Sequence, residues 1–215
     1  MNKLFYLLFP IILNTNITTT EFSLDDCNAL AIGLNNINIQ KEQVNLITET
    51  QQDTDALATQ LYLILPQNIR TYLENTGWCY QLVSKSKLEN ICGQKNVIGY
   101  TDINNKIVYV ANDELSINRA LLHEYGHVVG SLITKEMIID LYEKGVSEEY
   151  LNFNNLYIEE KDTFAYSYKS NDGHEISNMA EYLASTFHEY ITNPYNLNDK
   201  CPKTFMFWQY IINTF

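Results

Sequence analysis

At 215 residues with 46% hydrophobic and 13% aromatic content, the chain has the size of one folding unit with a sizeable core. With only 19% charged residues and no low-complexity run, the chain is not expected to be dominated by disorder, and its sequence shows no internal repeat. A formal net charge of -12 argues against nucleic-acid or anionic-membrane partners and suits cationic peptides better.

The first residues read as a secretory signal peptide: Lys3, an apolar run from Leu4 to Leu13, then a polar stretch from Asn14 to Thr20. Roughly ten apolar residues fall well short of the ~20 that span a bilayer. We therefore expect 1–20 to be removed and 21–215 to form a single secreted, extracellular domain. Later apolar stretches are all interrupted by polar side chains, which predicts no membrane association after removal of the leader, and we expect a monomer. Four cysteines, at 27, 79, 92 and 201, are an even number in a chain bound for an oxidising compartment, so two disulfides are expected. Cys79 with Cys92, close in sequence on either side of a hairpin or loop, is the favoured pair, leaving Cys27 with Cys201. No CxxC pair marks the cysteines as metal ligands.

From Leu24 to Leu65 the apolar spacing is helical, and Pro66 ends it. A short helix to Asn75 follows, broken by Thr76-Gly77. Trp78 to Val83 has strand composition. Val97 to Tyr100 and Lys106 to Val110 are two further strands, joined by the turn-rich Thr101 to Asn105 into a small hairpin. Asp113 or Ser116 can cap a helix running to about Ile133. Everything downstream reads as helix, with a 3.6-residue stripe from Met179 to Ile191 and an aromatic-rich final helix from Phe205 to Ile212. The fold class is α+β, mostly helical with a small sheet beside the central helix.

That central helix carries His123-Glu124-Tyr125-Gly126-His127, an HExxH motif. Positions i and i+4 project from one helix face, so both histidines can reach one zinc ion at about 2.0 to 2.1 Å. Glu124 falls beside the metal, where a carboxylate can take a proton from a water whose pKa zinc lowers to about 7. Gly126 and Gly130 each cost a helix about 1 kcal/mol, which points to close approach by another segment. Catalytic zinc takes three protein ligands, and the third candidates are Asp172, His174, Glu175, Glu181, His188 and Glu189. Glu181 interrupts an apolar helical segment and is followed on its own face by the small Ala184 and Ser185, as a close helix-to-helix approach requires. His188 reads as a surface residue.

HEYGH, the later NMAEYLASTF and the C-terminal PKTFMFWQYII, with the GYTDINNKIVYV hairpin before the motif helix, together resemble the catalytic domain of anthrax lethal factor and its relatives, the secreted Pro-Pro endopeptidases among them. The likeness covers roughly residues 60 to 215 and implies a zincin-like fold, with His123, His127 and Glu181 as zinc ligands and Glu124 as general base. It also implies a secreted zinc endopeptidase whose extended, proline-containing peptide substrate lies along an edge strand near Lys106 to Val110, while the acidic balance of the chain favours basic substrates. The family carries a tyrosine seven residues before the ligand glutamate to stabilise the oxyanion, and this register holds His174. A histidine can also donate to an oxyanion; Tyr166 and Tyr168 are rival donors if the loop from Lys169 to Gly173 is rearranged. An alternative is an inactive secreted zincin-fold protein acting as a toxin-like or partner-binding module.

Overall fold

The computed structural model describes residues 51–168 and 173–215. The signal-peptide reading, the helical reading before residue 51, and Cys27 lie outside the described residues. Helices α1 (Gln51–Leu63) and α2 (Gln67–Asn75) lead into a small sheet, formed by β1 (Cys79–Val83), β2 (Gly99–Asp102) and β3 (Ile107–Ala111), with helix α3 (Lys85–Cys92) between β1 and β2. Then come α4 (Glu114–Leu132), α5 (Lys135–Glu143), α6 (Glu148–Leu151), α7 (Phe153–Tyr168), a 3-10 turn (His174–Ile176), α8 (Met179–Thr192), α9 (Pro194–Lys200) and α10 (Pro202–Ile212). The mainly helical α+β reading holds. No helix among the described residues is long and apolar enough to cross a membrane.

The sheet order is β1-β3-β2. β2 and β3 form the expected antiparallel hairpin, with Thr101 opposite Val108, while β1 runs parallel to β3 with Gln81 opposite Tyr109. β3 is therefore the central strand with both edges paired, so a peptide cannot extend the sheet along Lys106 to Val110. The edge on the hairpin side is β2. Sequence had placed the turn two residues early: Thr101 and Asp102 belong to β2, and Asp102 instead accepts from the Asn105 backbone N–H at 3.0 Å to close the turn behind them.

Between β1 and β2 the chain forms α3, where a hairpin or loop was expected. Ser84 caps it, accepting from the Lys87 N–H, and Gly93 ends it in the left-handed region at φ 71. This overturns the Cys79–Cys92 disulfide. α3 packs over β3 and β2, which does not return Cys92 to the start of β1, and its thiol turns to the carbonyls of Glu89 and Gln94. Cys79, Cys92 and Cys201 are all thiols; Cys201 Sγ donates to the Glu160 carbonyl.

The core surrounds α4. Val108 and Val110, alternating on one face of β3, are fully buried, and α4 packs against β2 and β3, α1, and most extensively α8. α8 is held from behind by α10: the Tyr182 and Thr204 hydroxyls lie 2.9 Å apart, and Trp208 Nε1 donates to Thr186 Oγ1 at 3.0 Å. α10 begins at the PKTF segment, where Pro202 takes a first-turn position that needs no donor. The buried Glu160 carboxylate of α7 accepts from the next two backbone N–H groups, Lys203 at 3.1 Å and Thr204 at 2.9 Å, satisfying donors that the helix itself cannot.

Candidate metal centre

Two helices supply the site. Asp113 caps α4 by accepting from the Ser116 N–H at 2.9 Å, so the helix starts early enough to carry His123 and His127 in mid-run. Asn178 caps α8 by accepting from both the Ala180 and Glu181 N–H groups, fixing Glu181 in the first turn. The helices meet through small residues: a Cβ on Gly126 would stand 2.7 Å from Ala184 Cα, and one on Gly130 would run into Leu183 Cδ2. The close approach expected of both glycines is thus the α4–α8 crossing.

At that crossing, ligand atoms of His123, His127 and Glu181 all lie within 4.8 Å of one another. Glu181 Oε2 is 3.1 Å from His123 Nε2 and 3.5 Å from His127 Nε2. His123 is oriented from its other side: the buried Ser185 hydroxyl lies 3.2 Å from Nδ1, leaving Nε2 to face the cluster. Burial opposes ionisation of Glu181, yet hydrogen bonds and charge from His123 and His127 hold its carboxyl far below the ordinary range. Burial likewise opposes the His127 imidazolium, and the Glu181 hydrogen bond with the charges of Glu124 and Glu181 outweighs it, raising the pKa. Two imidazoles and a partly buried carboxylate converging in this way fit a divalent metal ion by donor chemistry and by reach.

Glu124 is 7% exposed and lies under β2. Thr101 Oγ1 donates to Glu124 Oε2 at 2.7 Å and also stands 3.1 Å from its carbonyl. Gly99 is needed for this: a Cβ there would stand 2.6 Å from Glu124 Oε1. His174 comes to the cluster from the 3-10 turn, its Nε2 3.2 Å from Glu181 Oε2 and its side chain 63% exposed. The turn is tied down by Tyr157, whose hydroxyl donates to the Ile176 carbonyl at 2.9 Å.

Of the other residues weighed, Glu189 is buried and accepts from Asn196 Nδ2 at 2.7 Å, away from the group. His188 is not a surface residue: it is partly buried, and burial together with the charge of His123 pushes its pKa down to about 4, against a hydrogen bond to the Arg119 backbone. Tyr166 is 88% exposed on α7. The Tyr168 side chain and residues 169–172, including Asp172, lie outside the described residues. Thr101 and Ser185 escaped sequence reading because a lone hydroxyl carries no spacing signal; placing Thr101 in β2, not in the turn, would have aimed it at α4.

This geometry defines a His-His-Glu group that could hold a metal ion. Among known proteins, no family model, no curated protein and no solved structure matches the chain.

Proposed function

We propose that the protein is a secreted zinc-dependent endopeptidase of the zincin type. The observation that carries this reading is the convergence within 4.8 Å of Glu181 from α8 with His123 and His127 of α4, the helix that also bears Glu124. A zinc ion held by these three groups would lower the pKa of water to about 7 and polarise a peptide carbonyl. Glu124 then accepts the proton of the attacking water on its carboxylate and passes it to the leaving amine. Thr101 holds that carboxylate in place through its 2.7 Å hydrogen bond. His174 is the donor to the developing oxyanion, filling the register of the family's tyrosine. Ser185 fixes the His123 ring so that its Nε2 stays with the cluster. A peptide strand laid beside β2, the sheet edge above Glu124, would present its carbonyl to these groups, and the net charge of -12 favours basic substrates. Secretion rests on Lys3 and the apolar run after it.

The test is hydrolysis of a quenched peptide library by the zinc-loaded protein with a chelator control, alongside Glu124→Gln. The variant should keep its metal and lose activity by orders of magnitude, because glutamine cannot accept the proton. Cleavage by Glu124→Gln at near wild-type rate would remove Glu124 as the base. No cleavage by the wild type at any library position would favour the partner-binding reading.

A further inference from the structure

We propose that His188 is a positioning residue for the metal centre: its imidazole N–H, donated from α8 to the Arg119 carbonyl, holds α4 in the register that points His123 at Glu181. This rests on the reading of His123, His127 and Glu181 as zinc ligands and adds the contact that aligns their two helices. Residues 181, 185 and 188 of α8 follow one another at spacings of four and three, so they share a helix face. Each of the three acts on His123 at a different point. Glu181 Oε2 is 3.1 Å from its Nε2, and the Ser185 hydroxyl is 3.2 Å from its Nδ1. The His188 ring hydrogen-bonds the Arg119 backbone. Within α4 the Arg119 carbonyl is also the acceptor for the His123 N–H, four residues on, and a carbonyl oxygen has a second lone pair to offer. His188 therefore grips the backbone link from which the first ligand histidine hangs.

Packing alone does not supply this alignment. Gly126 lies against Ala184 and Gly130 against Leu183, contacts that limit how closely the helices approach without fixing how they slide or turn, because apolar contact is not directional and a hydrogen bond is. A slide of one residue moves α4 by about 1.5 Å. That is enough to carry a histidine nitrogen out of reach of a zinc ion bound at about 2.0 to 2.1 Å. Glu181 and His188 stand about 10 Å apart along α8, and polar ties at both ends of that span set axial position and crossing angle together, which one tie cannot do. The His188 ring is partly buried, and the metal-capable group among the described residues is His123, His127 and Glu181, so no ligand role accounts for it.

The experiment uses the full chain with zinc(II) as the probe, in competition with a chelating dye. His188→Leu keeps bulk and removes the donor, whereas His188→Asn and His188→Gln each put an amide N–H near the place of one ring nitrogen. His188→Leu should bind zinc at least about tenfold more weakly than wild type, and one of the two amides should return to within about threefold. Phe187→Leu, on the face of α8 turned to Trp208 of α10, controls for mere loosening. It should lower the urea midpoint and leave zinc affinity within about twofold of wild type. The proposal is overturned if His188→Leu binds zinc within about twofold of wild type, if neither amide recovers affinity, or if Phe187→Leu loses as much affinity as His188→Leu. Circular dichroism verifies the fold; should His188→Leu not fold, the two amides decide, and a loss of about tenfold in both overturns the proposal. His123→Ala separates the two possible failures. If it loses zinc while His188→Leu does not, only the positioning role falls; if it too keeps wild-type affinity, the metal-centre reading falls with it.

Discussion

At the scale of single residues, the Glu181 carboxylate is the hub, since three histidine nitrogens lie within 3.5 Å of its Oε2. Glu181→Ala should abolish stoichiometric zinc retention after dialysis, whereas Glu136→Ala, at an exposed position on α5, should leave metal content unchanged. Equal retention in the two variants would move the third ligand elsewhere. The same carboxylate governs the protonation of His127. Burial alone would lower that pKa, but the Glu181 hydrogen bond and the nearby carboxylate charges raise it above its ordinary 6.5. In chelator-treated protein the His127 ring signal should titrate with a midpoint above 6.5, and Glu181→Gln should bring the midpoint down. The sign follows from charge: the carboxylate favours the imidazolium, so removing it releases the proton at lower pH. Because proton and metal compete for the ring, zinc affinity should start to weaken on the alkaline side of 6.5 as pH falls. A midpoint unmoved by Glu181→Gln would break the assignment.

At the scale of elements, the α4–α8 crossing does the positioning, and Gly126 is where it can be tested. Alanine is worth about 1 kcal/mol over glycine inside a helix. Here the added Cβ would stand 2.7 Å from the Ala184 backbone, which has no side-chain end that could yield. Overpacking of this kind costs about 1 to 3 kcal/mol, so Gly126→Ala should be net destabilising in urea melts and should weaken zinc binding as the helices separate. A variant more stable than wild type would mean that the crossing is looser than its geometry. Elements were the most legible scale. The 3.6-residue stripe of α8, the cap at the start of α4, and the β2–β3 hairpin all follow from local pattern, as do His123, Glu124 and His127, because one helix face dictates their juxtaposition. Helix α3 was hidden because cysteines on both sides drew the segment towards a stapled loop, although Ser84 and Gly93 are ordinary helix punctuation. Among six possibilities Glu181 stood out by interrupting an apolar stripe next to small residues, and the resemblance then favoured it, since periodicity places a glutamate on a face but not against a partner helix. His188 was misread for the same reason: what buries it, near Arg119 and His123, is another element.

At the scale of the whole molecule, a metal ion in the site would couple the sheet side of the core to the α8–α10 side. Binding to the native state alone stabilises it by about 2.7 kcal/mol at a free concentration one hundred times Kd, so chelation should lower Tm by roughly 5 to 10 °C. Glu181→Ala should show a low Tm with or without chelator; a chelator-sensitive Tm in that variant would mean that metal is stabilising the fold somewhere else. The cysteines add a consequence. All three described cysteines are thiols, so no covalent tie joins distant parts of the described chain. A metal held by His127 and Glu181 would close a loop of roughly fifty residues, a cross-link of the kind that disulfides supply at about 4 kcal/mol when the constraint acts mainly on the unfolded chain. The histidine-glutamate clasp would then serve as this protein's staple, and stripping the ion would leave it in the position of a reduced disulfide protein, with its half-life against proteolysis set by chelators instead of by reductants.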